Sequence, residues 1–239
     1  MSAKVEIVEV GKIKKGKPNV VTGFAGPGFI GNTAAMFIAR TKGFKMLAHV
    51  ESHLIPPMML LIDGEVTPAL RIYGDEENEL LLVVSAVLVT PENAWPLGFE
   101  LIRWLRKVGA REIIAIEGMP FTIPAQERPI FGFGVPYRDL AEHGVRPINE
   151  GGVSGLNAVM LGESMKRGLP WVTLLVPTPI TSAIDYGGAS HVIDVLNKMY
   201  KLGVDPSPLR KSEEMIRQTV ERRRAERPRG LLDSLRRRR

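Results

Sequence analysis

The chain has 239 residues, 44% hydrophobic and 24% charged, a balance too apolar for disorder and a length sufficient to bury a large core. It contains no cysteine, which excludes disulfides, thiolate metal sites and cysteine nucleophiles, and no apolar run reaches the roughly 18 to 20 residues of a membrane span. The net charge of +6 is uneven: from Pro206 onward 12 Lys and Arg stand against 5 Asp and Glu, which leaves 20 basic and 21 acidic residues before that point.

The N-terminus, Met1 to Lys17, is charged and lacks the apolar stretch of a signal peptide, so a cytoplasmic protein without a membrane partner is expected. Only two glutamines, Gln126 and Gln218, accompany many Arg and Glu, a bias that points to a thermophilic source.

Val5 to Val10 alternates apolar and charged residues as a half-buried strand does, and Asn19 to Phe24 predicts a second strand. Past a cluster of glycines, Ile30, Ala34, Phe37 and Ile38 mark one face of a helix over Phe29 to Arg40. Lys45 to Glu51 is expected as the strand completing a βαβ unit. Short β-rich stretches at Met58 to Ile62 and Leu70 to Tyr73 lead to Glu79 to Val89, whose nearly continuous apolar run predicts a central parallel strand.

Pro91 and Glu92 open a helix to about Val108, closed by Gly109, and Glu112 to Glu117 follows as a buried strand. Pro120 to Asn149, rich in Pro and Gly, predicts a hairpin or irregular excursion. Ser154 then stands where its hydroxyl can cap a helix to Lys166, before a strand over Trp171 to Val176. Helices are expected over Ala189 to Leu202 and Pro208 to Glu226, the second broken by Pro228 and Gly230. Repeated strand and helix units predict an α/β fold: a central, mostly parallel sheet flanked by helices over residues 1–205, with a basic helical C-terminal tail over 206–239.

Gly26, Gly28 and Gly31 have GxGxxG spacing between a strand and a helix, and Glu51 ends the next strand 20 residues beyond Gly31. On paper this is a dinucleotide fingerprint, with glycines that admit a pyrophosphate and a carboxylate for ribose hydroxyls. Any tight strand-to-helix turn wants glycines, however, and Pro27 stiffens the loop and removes one N–H donor. The favoured reading is a turn that packs the first helix closely on the sheet, with a nucleotide- or anion-binding, phosphorylase-like enzyme as the alternative.

The segment Gly23-Phe-Ala-Gly-Pro-Gly-Phe-Ile-Gly31, followed by Asn32 to Ala39, resembles the opening motif of the proteasome-assembly-chaperone family. Gly109-Ala-Arg-Glu-Ile-Ile-Ala-Ile-Glu-Gly118 resembles that family's buried strand after a long helix. Gly151-Gly-Val-Ser-Gly-Leu-Asn157 resembles its second glycine motif, and Val176-Pro-Thr-Pro-Ile180 a strand end and loop. The resemblance covers roughly residues 5 to 205. It implies a fold similar to purine nucleoside phosphorylases, self-association into a homo-oligomer, and a non-catalytic chaperone or scaffold without a cofactor. The implied partners are proteasome α-subunits or a related assembly-chaperone chain.

Proteasome-binding partners of this kind often end in a hydrophobic residue, a tyrosine and one more residue, whereas this chain ends Arg236, Arg237, Arg238, Arg239. A guanidinium cluster cannot replace those apolar and phenolic contacts, so a docking-competent relative would supply them. Leu231, Leu232 and Leu235 form a small apolar cluster suited to a partner groove, and Met215, Ile216, Thr219 and Val220 a narrow stripe that could protrude or pack on a neighbour. Nucleic acid is not expected as the main partner, because no aromatic platform is interleaved with the arginines.

No triad emerges. His49 and His53 lack an obvious third ligand, so no metal site is expected. Asp185 and Tyr186 are expected in a solvated loop near His191, and Ser154 lacks a complete GxSxG elbow. Met58, Met59 and Phe131 or Phe133 would anchor an interface if accessible.

Overall fold

A computed structural model describes residues 4–14, 16–75, 79–121 and 128–225. Its strands are β1 (Glu6–Glu9), β2 (Asn19–Gly23), β3 (Lys45–Glu51), β4 (Met59–Ile62), β5 (Glu65–Pro68), β6 (Leu70–Gly74), β7 (Leu80–Ser85), β8 (Glu112–Pro120), β9 (Ile130–Val135), β10 (Val145–Pro147) and β11 (Trp171–Thr178). Its helices are α1 (Ile30–Lys42), α2 (Pro91–Lys107), α3 (Gly155–Lys166), α4 (Tyr186–Tyr200) and α5 (Ser207–Ala225).

Nine strands form one sheet in the order β1-β3-β6-β7-β2-β8-β11-β9-β10. The four central strands, β7, β2, β8 and β11, are mutually parallel. They are also the most apolar, because helices cover both of their faces. Outside them the sheet is mixed rather than mostly parallel: β1, β3 and β6 add antiparallel on one side, β9 adds antiparallel to β11, and β10 runs parallel to β9.

One core layer lies between the sheet and α1 with α4, built around Ile30, Ile38, Leu82, Val176 and Ile193. The other lies between the sheet and α2 with α3, built around Leu97, Leu101, Leu105, Val83 and Met160. The expected strands and helices form close to their expected bounds, with three differences of physical interest. First, β3 runs in the direction of β2, but β6 and β7 lie between them, so the two are not neighbours. Second, the Pro- and Gly-rich stretch after β8 supplies two further strands, β9 and β10, because glycines alternating with Ile130, Phe131 and Phe133 still pair along an edge.

Third, β4 and β5 pair as a separate hairpin around Asp63 and Gly64, whose φ values of 52° and 87° are those of a tight primed turn. The hairpin stands outside the main sheet. No helix among the described residues is long and apolar enough to cross a membrane.

Candidate functional site

The glycine loop leaves the carboxyl end of β2 and enters α1 through a 3-10 turn over Pro27–Phe29. Its three glycines have different reasons. Gly28 has φ 66°, a left-handed conformation, and a Cβ there would lie 3.0 Å from Thr178 Oγ1 and 3.1 Å from the Ile180 carbonyl oxygen. At Gly31 a Cβ would come 2.8 Å from the Ile116 carbonyl oxygen, so the missing side chain lets α1 lie directly on β8. Gly26 has neither constraint: its φ of −167° is ordinary extended backbone, and a Cβ would meet nothing within 4 Å.

Asp185 ties this loop to the rest of the molecule. The sequence suggested a solvated loop, but the residue is 1% exposed and caps α4, its carboxylate accepting from the Gly188 N–H at 2.8 Å. Its other oxygen accepts from Thr178 Oγ1 at 2.7 Å, and its own N–H donates to the Gly28 carbonyl at 2.9 Å. Arg128 pairs with Asp185 and with Glu213 of α5, each at 2.7 Å. One guanidinium thus joins the approach to β9, the start of α4 and the first half of α5. The signal in the sequence is an Asp three residues before a glycine at a helix start, obscured because the expected helix starts only at Ala189.

Beside the loop a cavity of about 250 Å³ opens at the carboxyl ends of β2, β7 and β8. Phe24, Val87, Val89 and Leu156 supply apolar wall, and Gly26, Ser154 and Glu117 line it as well. Thr22 Oγ1 donates to Asn157 Oδ1 at 2.8 Å, and Asn157 Nδ2 donates to Glu117 Oε1 at 2.6 Å. Burial pushes the Glu117 carboxyl above the usual carboxylate range, and the Asn157 hydrogen bond opposes that. Sequence reasoning passed over this pair. The available clue was a carboxylate at the carboxyl end of a buried parallel strand, where α/β sheets place ligands.

The other expected residues do not converge here. Glu51 ends β3, separated from β2 by two strands, and faces His49, whose Nε2 is 3.0 Å from its Oε1. The loop and the acid of the fingerprint are therefore not brought together. His191 turns its Nδ1 to the Gly187 carbonyl at 2.8 Å. Ser154 occupies the N-cap position of α3 but makes no side-chain cap hydrogen bond, contrary to expectation. No cluster of three or more His, Cys, Asp or Glu suited to a metal occurs among the described residues. Leu231, Leu232, Leu235 and Arg236 to Arg239 lie outside the described residues.

The sequence pattern of the PAC2 family matches residues 20–223, from β2 through most of α5. A crystal structure of Pyrococcus furiosus PbaA, described as an archaeal homologue of proteasome-assembly chaperone, superposes with a TM-score of 0.82 at 28% identity, over 98% of this chain and 95% of that one. A second PbaA structure gives 0.78 at 30% identity, covering 92% and 96%. Pyrococcus furiosus PbaB, described as an archaeal proteasome activator, shares the fold with a TM-score of 0.73 at 20% identity, covering 90% and 98%. An uncharacterised protein of Methanocaldococcus jannaschii is 23% identical over 219 residues, 90% of this chain and 89% of that relative. The chain belongs to the PAC2 family, that of the proteasome-assembly chaperones.

Proposed function

We propose that this protein is a non-catalytic, self-assembling scaffold that binds other protein subunits, either proteasome α-subunits or a related assembly-chaperone chain. The observation that carries the reading is the β4–β5 hairpin. It holds Met59, Leu61 and Val66 at 61%, 75% and 67% exposed, on an element that adds nothing to the main sheet. Apolar side chains gathered on the outer face of a hairpin mark an association surface, since leaving them in water costs roughly 25 cal/mol per Å² that a partner would recover. The preceding segment is held in place by Asn93 Nδ2 of α2, which donates to the Leu54 carbonyl at 2.9 Å.

The second half of α5 supports the same reading. The first half docks on α4 through Leu209, the Arg210–Asp194 ion pair and the Arg128–Glu213 pair. From Met215 to Arg222 the helix is exposed, with Met215, Ile216 and Val220 uncovered. Kinship with a homologue of proteasome-assembly chaperone supports this class of partner.

Native mass spectrometry tests this on the purified chain alone, then mixed with proteasome α-subunits and with a related assembly-chaperone chain. A closed oligomer that captures either partner is the expected result. A monomer that captures neither would sink the proposal.

A further inference from the structure

Glu117 lines the cavity at the carboxyl ends of β2, β7 and β8 without a counter-charge: among the described residues no Lys, Arg or His pairs with it. Its surroundings fix its orientation. Because the Thr22 hydroxyl donates to Asn157 Oδ1, the Asn157 amide must present its nitrogen to Glu117 Oε1. Among the described residues, Glu117 Oε2 has no hydrogen-bond or ion-pair partner. A half-buried carboxylate without a cation is costly to the fold, and such groups concentrate where a ligand completes the pair.

The remaining wall narrows the ligand. Phe24, Val87, Val89 and Leu156 offer apolar contact, and Ser154 brings a hydroxyl not used in capping. At about 250 Å³ the space is below the usual range for drug-sized ligands, so the occupant is small. Gly26 adds an independent observation. Neither its backbone angles nor its packing calls for glycine, and a side chain there would enter open space at the cavity wall.

We propose that this cavity binds a small organic cation, an ammonium or guanidinium head on a short apolar body, with Glu117 as its anionic partner. The head pairs with Glu117 Oε2 in a charge-assisted hydrogen bond, and the body lies against the apolar wall.

Ligand-observed NMR on the full chain tests this, with n-butylguanidinium chloride as the probe and sodium butyrate and n-butanol as controls. Saturable binding of butylguanidinium, and of neither control, is expected. Glu117→Gln keeps an acceptor for Asn157 and should weaken binding by roughly ten- to hundredfold with an unchanged circular dichroism spectrum. Gly26→Leu fills the cavity instead of removing the charge and should also weaken binding with the melting temperature preserved, which keeps the test open should Glu117→Gln fail to fold. Absence of saturable binding, binding of butyrate or butanol as tight as that of butylguanidinium, or an affinity unchanged by both substitutions would overturn the proposal.

Discussion

Glu117 and Gly28 show how single positions carry opposite kinds of constraint. Burial raises the Glu117 pKa, so the folded chain holds that proton more tightly than the unfolded chain. The resulting stabilisation is fully present below the unfolded pKa and is lost as pH rises through the folded one. Glu117→Gln should therefore melt with the parent at about pH 3, where the carboxyl is protonated in the folded and the unfolded chain alike, and higher than the parent near neutral pH. Thermal unfolding at the two pH values checks this, and a variant less stable at neutral pH would contradict it. At Gly28 the constraint is steric. Its φ of 66° and the atoms of Thr178, Ile180 and Asp185 around the missing Cβ leave no room for a branched side chain. Gly28→Val should cost about 1 to 3 kcal/mol in denaturant unfolding.

Among the elements, α5 depends most on a few contacts. Arg128 is largely buried between Asp185 and Glu213, and Asp185 has no exposure to recover hydration if that cation is removed. Arg128→Ala should lower stability by about 3 kcal/mol, the cost typical of leaving one member of a buried pair behind. Glu213→Ala removes only the half-exposed end of the network, so its effect on global unfolding should be smaller. Hydrogen exchange should separate the two: Glu213→Ala speeds exchange in the first half of α5 and leaves the central strands protected, while Arg128→Ala also affects the start of α4. Protection of α5 unchanged from the parent in both variants would show that its docking rests on Leu209 and the Arg210–Asp194 pair instead.

For the whole molecule, the hairpin and the exposed half of α5 are the surfaces on which the proposed assembly depends. Met59→Glu with Leu61→Glu should shift the chain to smaller species in light scattering and leave its circular dichroism unchanged, because neither side chain is in the core. The sequence alone determined most of what is local. Apolar runs at Asn19–Gly23, Leu80–Ser85 and Trp171–Thr178 announce strands covered on both faces, and the period of α1 and α2 announces their buried sides. The glycine segments also carried the family, since a close approach such as Gly31 on Ile116 leaves a mark in residue type. Tertiary structure decided what depends on pairing between distant strands. Sequence order makes β3 look like the partner of β2, yet β6 and β7 insert between them, which moves Glu51 away from the glycine loop. In the same way β8 and α3 meet only in the fold, where Asn157 reaches Glu117 across 40 residues. Strand order and buried hydrogen bonds of that kind are set by how faces fit together, and no periodicity in the chain records them.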